Sequence, residues 1–260
     1  MSVLDDAIRI KSEDELKRAF SPRELERPTL FLSASVPYRR KAGTDKQMLA
    51  NPRYVLMSQP ERIRVAVREL THSALMRGIR LVFGAHPDIS PLVLEAARKL
   101  PVVPGSILIF QSAVFEQRIP KSTLDLADWS KGLLFITPEI NAGAPDSQER
   151  SLAEMRALML KTPGLCGAVF VGGMDGTEEE ADLFEVMHSQ LPRYAIASTG
   201  SAALFLFERA LIGGPPQAFA GKKLQQNAAS LVDYPTSYKL TARRILEDMG
   251  FAPPPPTPTP

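Results

Sequence analysis

Six short apolar runs punctuate the chain with almost no polar alternation: 29–33, 79–83, 106–110, 133–136, 168–171 and 194–197. A strand with one wet face alternates, whereas a strand covered on both faces does not. Between these runs apolar residues return at helical spacing over 59–76, 91–100, 148–160, 178–190 and 201–211. The alternation predicts an α/β fold: a doubly wound, mostly parallel sheet with helices on both faces and right-handed crossovers. In such a sheet ligands sit beyond the carboxyl ends of the strands. No internal repeat interrupts the pattern.

The flanks carry weaker signals. Ser12 and Glu15 have capping-box spacing, so 12–20 reads as a short helix and 1–27 as a helical appendage ahead of the first strand. Residues 28–250 then form one domain. Residues 38–60 make a polar insertion rich in Arg, Lys and Pro, and loops of that length in compact domains are functional or mobile. A last helix over 238–249 stops at Gly250, and the proline-rich residues 251–260 form an extended or disordered tail.

Thirty-one basic against twenty-nine acidic side chains give a formal charge of +2, so no global field favours nucleic acid or an anionic membrane. An anion must therefore be held locally. The single cysteine, Cys166, excludes a disulfide framework and fits a cytoplasmic setting, with the thiol read as core. The first residues lack a basic segment followed by an apolar run, and no segment is long and apolar enough to span a bilayer.

Candidate chemistry gathers at the strand ends. After the first comes Ser33-Ala34-Ser35, after the second Gly84-Ala85-His86-Pro87, after the fifth Gly172-Gly173-Met174-Asp175-Gly176-Thr177-Glu178, and after the sixth Thr199-Gly200-Ser201. Glycines let a main chain approach a ligand, Thr177 is placed to cap the following helix, and helix starts bring amides and partial positive charge. On one rim these four ends would line a common crevice suited to a phosphate; taken singly, each is also ordinary capping chemistry.

His86 is placed to stack on a base, to donate to a phosphate, or simply to pack. His72 and His188 fall within helices and read as structural. Without a His or Cys cluster at ligand spacing, zinc is excluded; magnesium riding on a diphosphate would use Asp175 or Glu178, though acidic residues in a first helical turn need no metal. Tyr38, Arg39, Arg40 and Lys41 follow the first strand and either clamp an anion or form a solvated face. Trp129 reads as core or interface. No Gly-x-Ser-x-Gly elbow is present, and no Gly-x-Gly-x-x-Gly follows an early strand.

Leu81-Val82-Phe83-Gly84-Ala85-His86-Pro87 with Ile89-Ser90-Pro91, together with Val171-Gly172-Gly173-Met174-Asp175-Gly176-Thr177-Glu178-Glu179-Glu180, resembles the SLOG superfamily. That superfamily joins the Rossmann-like domains of DprA, the LOG phosphoribohydrolases and the nucleotide-sensing domains of TRPM channels and bacterial antiphage effectors. The His-Pro pair and the long acidic Gly-Gly turn look closest to the antiphage branch. The resemblance implies a nucleotide ligand, either NAD-derived and ADP-ribose-like or cyclic, passed on as a signal through homo-oligomerisation or a separate effector. It also implies an alternative, a LOG-like N-glycoside hydrolase in which Glu180 acts on the sugar and Arg39, Arg150 or Arg156 holds phosphate. Val171 stands where LOG enzymes have proline, and Met174-Asp175 adds one residue before Gly176, which displaces Glu180 from the hydrolytic geometry. A DprA-like DNA-binding role would need a basic stripe that the near-neutral charge does not supply.

Overall fold

Parallel strands buried on both faces need no polar alternation, and the apolar runs assemble accordingly. The computed structural model describes residues 4–37, 51–130, 132–212 and 237–252. Its strands are β1 (Ile8–Arg9), β2 (Thr29–Ser35), β3 (Arg80–Gly84), β4 (Ile107–Ser112), β5 (Leu133–Thr137), β6 (Leu165–Gly172) and β7 (Arg193–Ala195). They form one all-parallel sheet in the order β1-β5-β4-β3-β2-β6-β7. The chain steps outward from β2 through β3 and β4 to β5, then returns to lay β6 on the other side of β2. The reversal of winding therefore falls between β2 and β6, and the C-terminal ends of strands at such a switch point are where an α/β sheet opens a crevice.

The helices are α1 (Glu13–Arg18), α2 (Pro22–Leu25), α3 (Pro52–Met57), α4 (Pro60–Leu75), α5 (Ser90–Ala97), α6 (Lys121–Ser130), α7 (Ser147–Leu160), α8 (Asp175–Met187), α9 (Ser201–Ile212) and α10 (Tyr238–Asp248). One contiguous layer runs from α10 through α4 and α5 to α6, while α7 packs against α8. Aromatic rings fill the sheet's centre: Phe31 stacks on Phe184 with centroids 6.2 Å apart and meets Phe170 edge-on at 6.3 Å. Toward β5, Phe110 and Phe135 lie 4.9 Å apart.

The structure departs from the sequence pattern at several places. The N-terminal segment contributes more than a helix, since Ile8 and Arg9 pair with Phe135 and Ile136 at the sheet edge, and Ile10, Leu16 and Phe20 are buried in the core. Half of the capping box expected at α1 is present: Ser12 Oγ accepts from Glu15 N, but the Glu15 carboxylate accepts from Lys11 N and not from the amide of Ser12. β2 runs two residues past 33, because Ser33, Ala34 and Ser35 pair with Phe170, Val171 and Gly172. α8 begins at Asp175 with Met174 as its cap, so Thr177 lies inside the first turn and is not the capping residue. α3, α6 and a 3-10 turn at Ala113–Arg118 were not legible in the pattern. Arg39, its neighbours 38–41 and the tail 253–260 lie outside the described residues.

At the N-terminal end of β3, Arg80 is wholly buried. Its Nη2 donates to the Glu24 carbonyl and its guanidinium lies 4.8 Å from the Phe20 ring centroid, but Nε and Nη1 have no hydrogen-bond partner among the described residues. Burial pulls its pKa down to about 10; the nearby Arg27 adds to the fall and Glu24 opposes it.

Candidate functional site

A cavity of about 490 Å³ opens beside the switch point, walled by the ends of β2, β3 and β4, by the 3-10 turn, by α7 and by the start of α8. That volume suits a nucleotide-sized ligand. Ser33, Ala34 and Ser35 line it from β2, Gly84 and His86 from the end of β3, and Met174, Gly176, Thr177 and Glu180 from the turn and first helical turns of α8. Three of the four strand ends expected on one rim thus meet at one cleft.

The fourth does not. Thr199, Gly200 and Ser201 are absent from the lining and are engaged elsewhere. Thr199 Oγ1 accepts from Gly172 N at 2.8 Å, Ser201 Oγ donates to the Tyr54 carbonyl at 2.8 Å, and the Thr199 carbonyl accepts from Gln59 N at 3.2 Å. Their hydroxyls anchor α3 and the glycine turn.

The glycine turn itself is folded more tightly than a phosphate cradle. Gly172 N is taken by Thr199, Gly173 N donates to the Ser35 carbonyl at 2.9 Å, and neither residue lines the cavity. Gly173 has φ +93, and a Cβ there would stand 2.3 Å from Thr177 Oγ1, so its requirement for glycine is explained by packing alone. The amides still available to a ligand are those at the start of α8, where Met174 and Gly176 face the cavity.

Asp175 and Glu178 lie outside the lining as well. Both carboxylates are held by α3, with the Tyr54 hydroxyl 2.9 Å from Asp175 Oδ1 and 2.9 Å from Glu178 Oε1, and Arg53 paired with Glu178. A phenol has one proton, so it donates to one carboxylate at a time. Burial, reinforced by both carboxylates, drives the Tyr54 pKa upward and keeps that proton in place. Among the described residues no group of three or more His, Cys, Asp or Glu is arranged to hold a metal ion.

Glu180 is the one carboxylate deep in the cleft, with 15% of its side chain exposed. It accepts from Ser33 Oγ, and its Oε1 lies 3.7 Å from Arg156 Nε. Burial raises its pKa more than the Ser33 hydroxyl and Arg156 lower it, and Glu179 adds to the rise. A raised carboxyl pKa makes the folded state bind a proton more tightly than the unfolded chain. The resulting stability is fully present below the ordinary value of 4.5 and is lost as pH rises through the elevated one. Glu180→Gln mimics the protonated form and keeps an acceptor for Ser33. Relative to wild type, the variant should therefore gain stability as pH climbs from 4.5 toward neutrality. Urea midpoints compared across that range test this; a difference that stays flat would mean Glu180 titrates normally.

Arg156, one of the three arginines weighed for phosphate, lines the cleft; Arg150 is an exposed partner of Asp146 and does not. Arg156 is pinned between Glu179 and Glu180. Gly176 makes room for it, since a Cβ at that position would sit 2.7 Å from Arg156 Nη2. Three further lining residues went unread in the sequence: Gln111, Phe115 and Arg118. Gln111-Ser112 ends β4 with the same switch from apolar to polar that marks the other strand ends and could have been found by it. Phe115 and Arg118 sit in the 3-10 turn, which carries no comparable signal.

The remaining candidates lie outside the lining of the cleft. His188 Nε2 lies 2.7 Å from the Leu160 carbonyl, and Cys166 Sγ donates to the Thr29 carbonyl at 3.2 Å with its pKa pushed up to about 11 by burial. His72 lies on α4, and Trp129 is partly exposed on α6. No described helix is long and apolar enough to cross a membrane.

No curated protein matches the chain in sequence. The SLOG cluster3 family model matches residues 53–215, from α3 past α9, a stretch that includes the ends of β3 and β4, all of α7 and the turn into α8. With more than half its length matched, the chain belongs to the SLOG cluster3 family.

Proposed function

We propose that the protein is a nucleotide-binding module that senses an NAD-derived, ADP-ribose-like or cyclic nucleotide. The observation that carries the reading is the cleft beside the β2/β6 switch point, where the start of α8 presents amides with no partner among the described residues beside Arg156, while Ser33 and Glu180 add a hydroxyl and a carboxyl to the same cleft. Membership of a SLOG family supports a nucleotide as ligand, and the likeness of its motifs to the antiphage branch supports a signalling role through self-association or a separate effector. Asp175 and Glu178 are occupied by α3, which favours binding without a protein-held metal.

One observation favours a second reading. Glu180 combines a place in the cleft with a raised pKa, and such a carboxyl can serve as a proton donor or stabilise a developing oxocarbenium centre. Incubation of the purified protein with AMP, NAD and cyclic ADP-ribose isomers separates the two. Ligands recovered intact, with stabilisation of about 2.7 kcal/mol at a hundredfold excess over Kd, mark a sensor. Free base that disappears in Glu180→Gln marks a hydrolase.

Gly176→Val tests the site itself. Its Cβ meets only the far end of the Arg156 side chain, so the fold should survive with a small loss while Arg156 is pushed across the cleft. Nucleotide affinity should fall by about tenfold or more, equivalent to about 1.4 kcal/mol. Unchanged affinity in calorimetry would move the ligand away from α8.

A further inference from the structure

Among the described residues, the polar side chains that line the cleft toward β4 are hydrogen-bond donors. Gln111 is 7% exposed, and its Oε1 accepts from Ser112 N at 2.9 Å, which leaves Nε2 for the cavity with no partner among the described residues. His86 is locked in the same sense: Asp88 N donates to its Nδ1 at 3.2 Å, so the neutral ring carries its proton on Nε2. Burial lowers the His86 pKa and the Asp88 carboxylate only partly restores it, which keeps the ring neutral near pH 7. Asp88 Oδ2 lies 3.9 Å from Nδ1 and is not part of the lining. Arg118, exposed at the end of the 3-10 turn, also lines the cavity and has no ion pair among the described residues, while the nearby Glu116 is spent on Arg9. Ala85 N donates to the Phe110 carbonyl, which sets the two strand ends carrying His86 and Gln111 side by side.

A base edge mixes donors and acceptors, whereas a phosphate presents acceptors only. From this one-sided set we infer that Gln111, His86 and Arg118 form a second anion subsite, which takes a phosphate of the nucleotide other than the one at α8. The inference rests on the nucleotide reading above and narrows it, setting a cyclic or twice-phosphorylated nucleotide ahead of the diphosphate-linked ADP-ribose type. α8 enters the cleft over β2, where Glu180 meets Ser33, and β2 and β4 are two strand steps apart, about 10 Å at roughly 4.8 Å per step. A sugar between two phosphates spreads them further than the shared oxygen of a diphosphate does, which suits two anion positions on separate strand ends. The ligand class is therefore a nucleotide whose phosphates are set apart by a sugar.

Calorimetric titration with AMP, ADP and adenosine 3′,5′-bisphosphate tests this. The bisphosphate should bind about tenfold or more tightly than AMP, with ADP gaining much less. That ratio should fall toward one in Arg118→Ala, an exposed position whose change leaves the fold intact, and in Gln111→Glu, which keeps the acceptor for Ser112 N but turns an oxygen toward the anion. AMP binding with no preference for the bisphosphate overturns the subsite and leaves the nucleotide reading standing, as does an equal preference for ADP or a ratio that survives both substitutions. Failure of all three probes to bind overturns both.

Discussion

Gly200→Ala is expected to cost about 3 kcal/mol or more in equilibrium denaturant unfolding. Gly200 has φ 74 and ψ −167, a region that residues with a Cβ rarely enter. A methyl there would stand 1.9 Å from the Met57 carbonyl oxygen, a main-chain atom that cannot rotate away. Relief requires α3 to lift, which breaks the bond from Gln59 N to the Thr199 carbonyl and the one from Ser201 Oγ to the Tyr54 carbonyl. Tyr54 would follow, uncovering Asp175 and Glu178 at the start of α8. The expected signature is a large drop in midpoint. A loss below about 1 kcal/mol would show that α3 is not held against this turn.

Arg80→Met is expected to act in the opposite direction, raising stability by about 1–3 kcal/mol. Arg80 carries a charge in the core, and one hydrogen bond to the Glu24 carbonyl and the face of Phe20 are what offset its desolvation. The depressed pKa, about 10, records the imbalance. Methionine keeps the unbranched stem that packs beneath α2 and removes both the charge and two unpartnered nitrogens. A loss of more than about 1 kcal/mol would mean that the Glu24 bond and the Phe20 contact outweigh the burial cost.

The strands were legible because parallel strands covered on both faces leave unbroken apolar runs, and six of the seven do so. β1 escaped because two residues at a sheet edge, one of them Arg9, leave no run to detect. α3 escaped for a different reason. Six residues opening on proline have little helical signal of their own, and the segment is fixed by distant partners, through Tyr54 on α8 and Ser201 on α9.

The site was legible in outline. Small and hydroxyl-bearing residues at strand ends did point to the rim, yet the same residue types serve as anchors, and nothing in Thr199-Gly200-Ser201 distinguishes one use from the other. The glycine turn misled in a similar way, since the positive φ at Gly172 and Gly173 satisfies internal packing and their amides are spent within the protein. Gln111 and His86 gain their donor-only character from neighbouring main-chain amides, a property that exists only once the chain has folded.

Ser33 and Glu180 meet across a sequence separation of 147 residues, on strand and helix that flank the reversal of winding. A growing polypeptide carries His86, Gln111 and Arg118 long before α8 is translated, but Met174, Gly176, Thr177 and Glu180 reach the cleft only when β6 slots in beside β2. The wall of the cleft is thus completed late in synthesis, and a product truncated ahead of β6 carries a cavity open on one side.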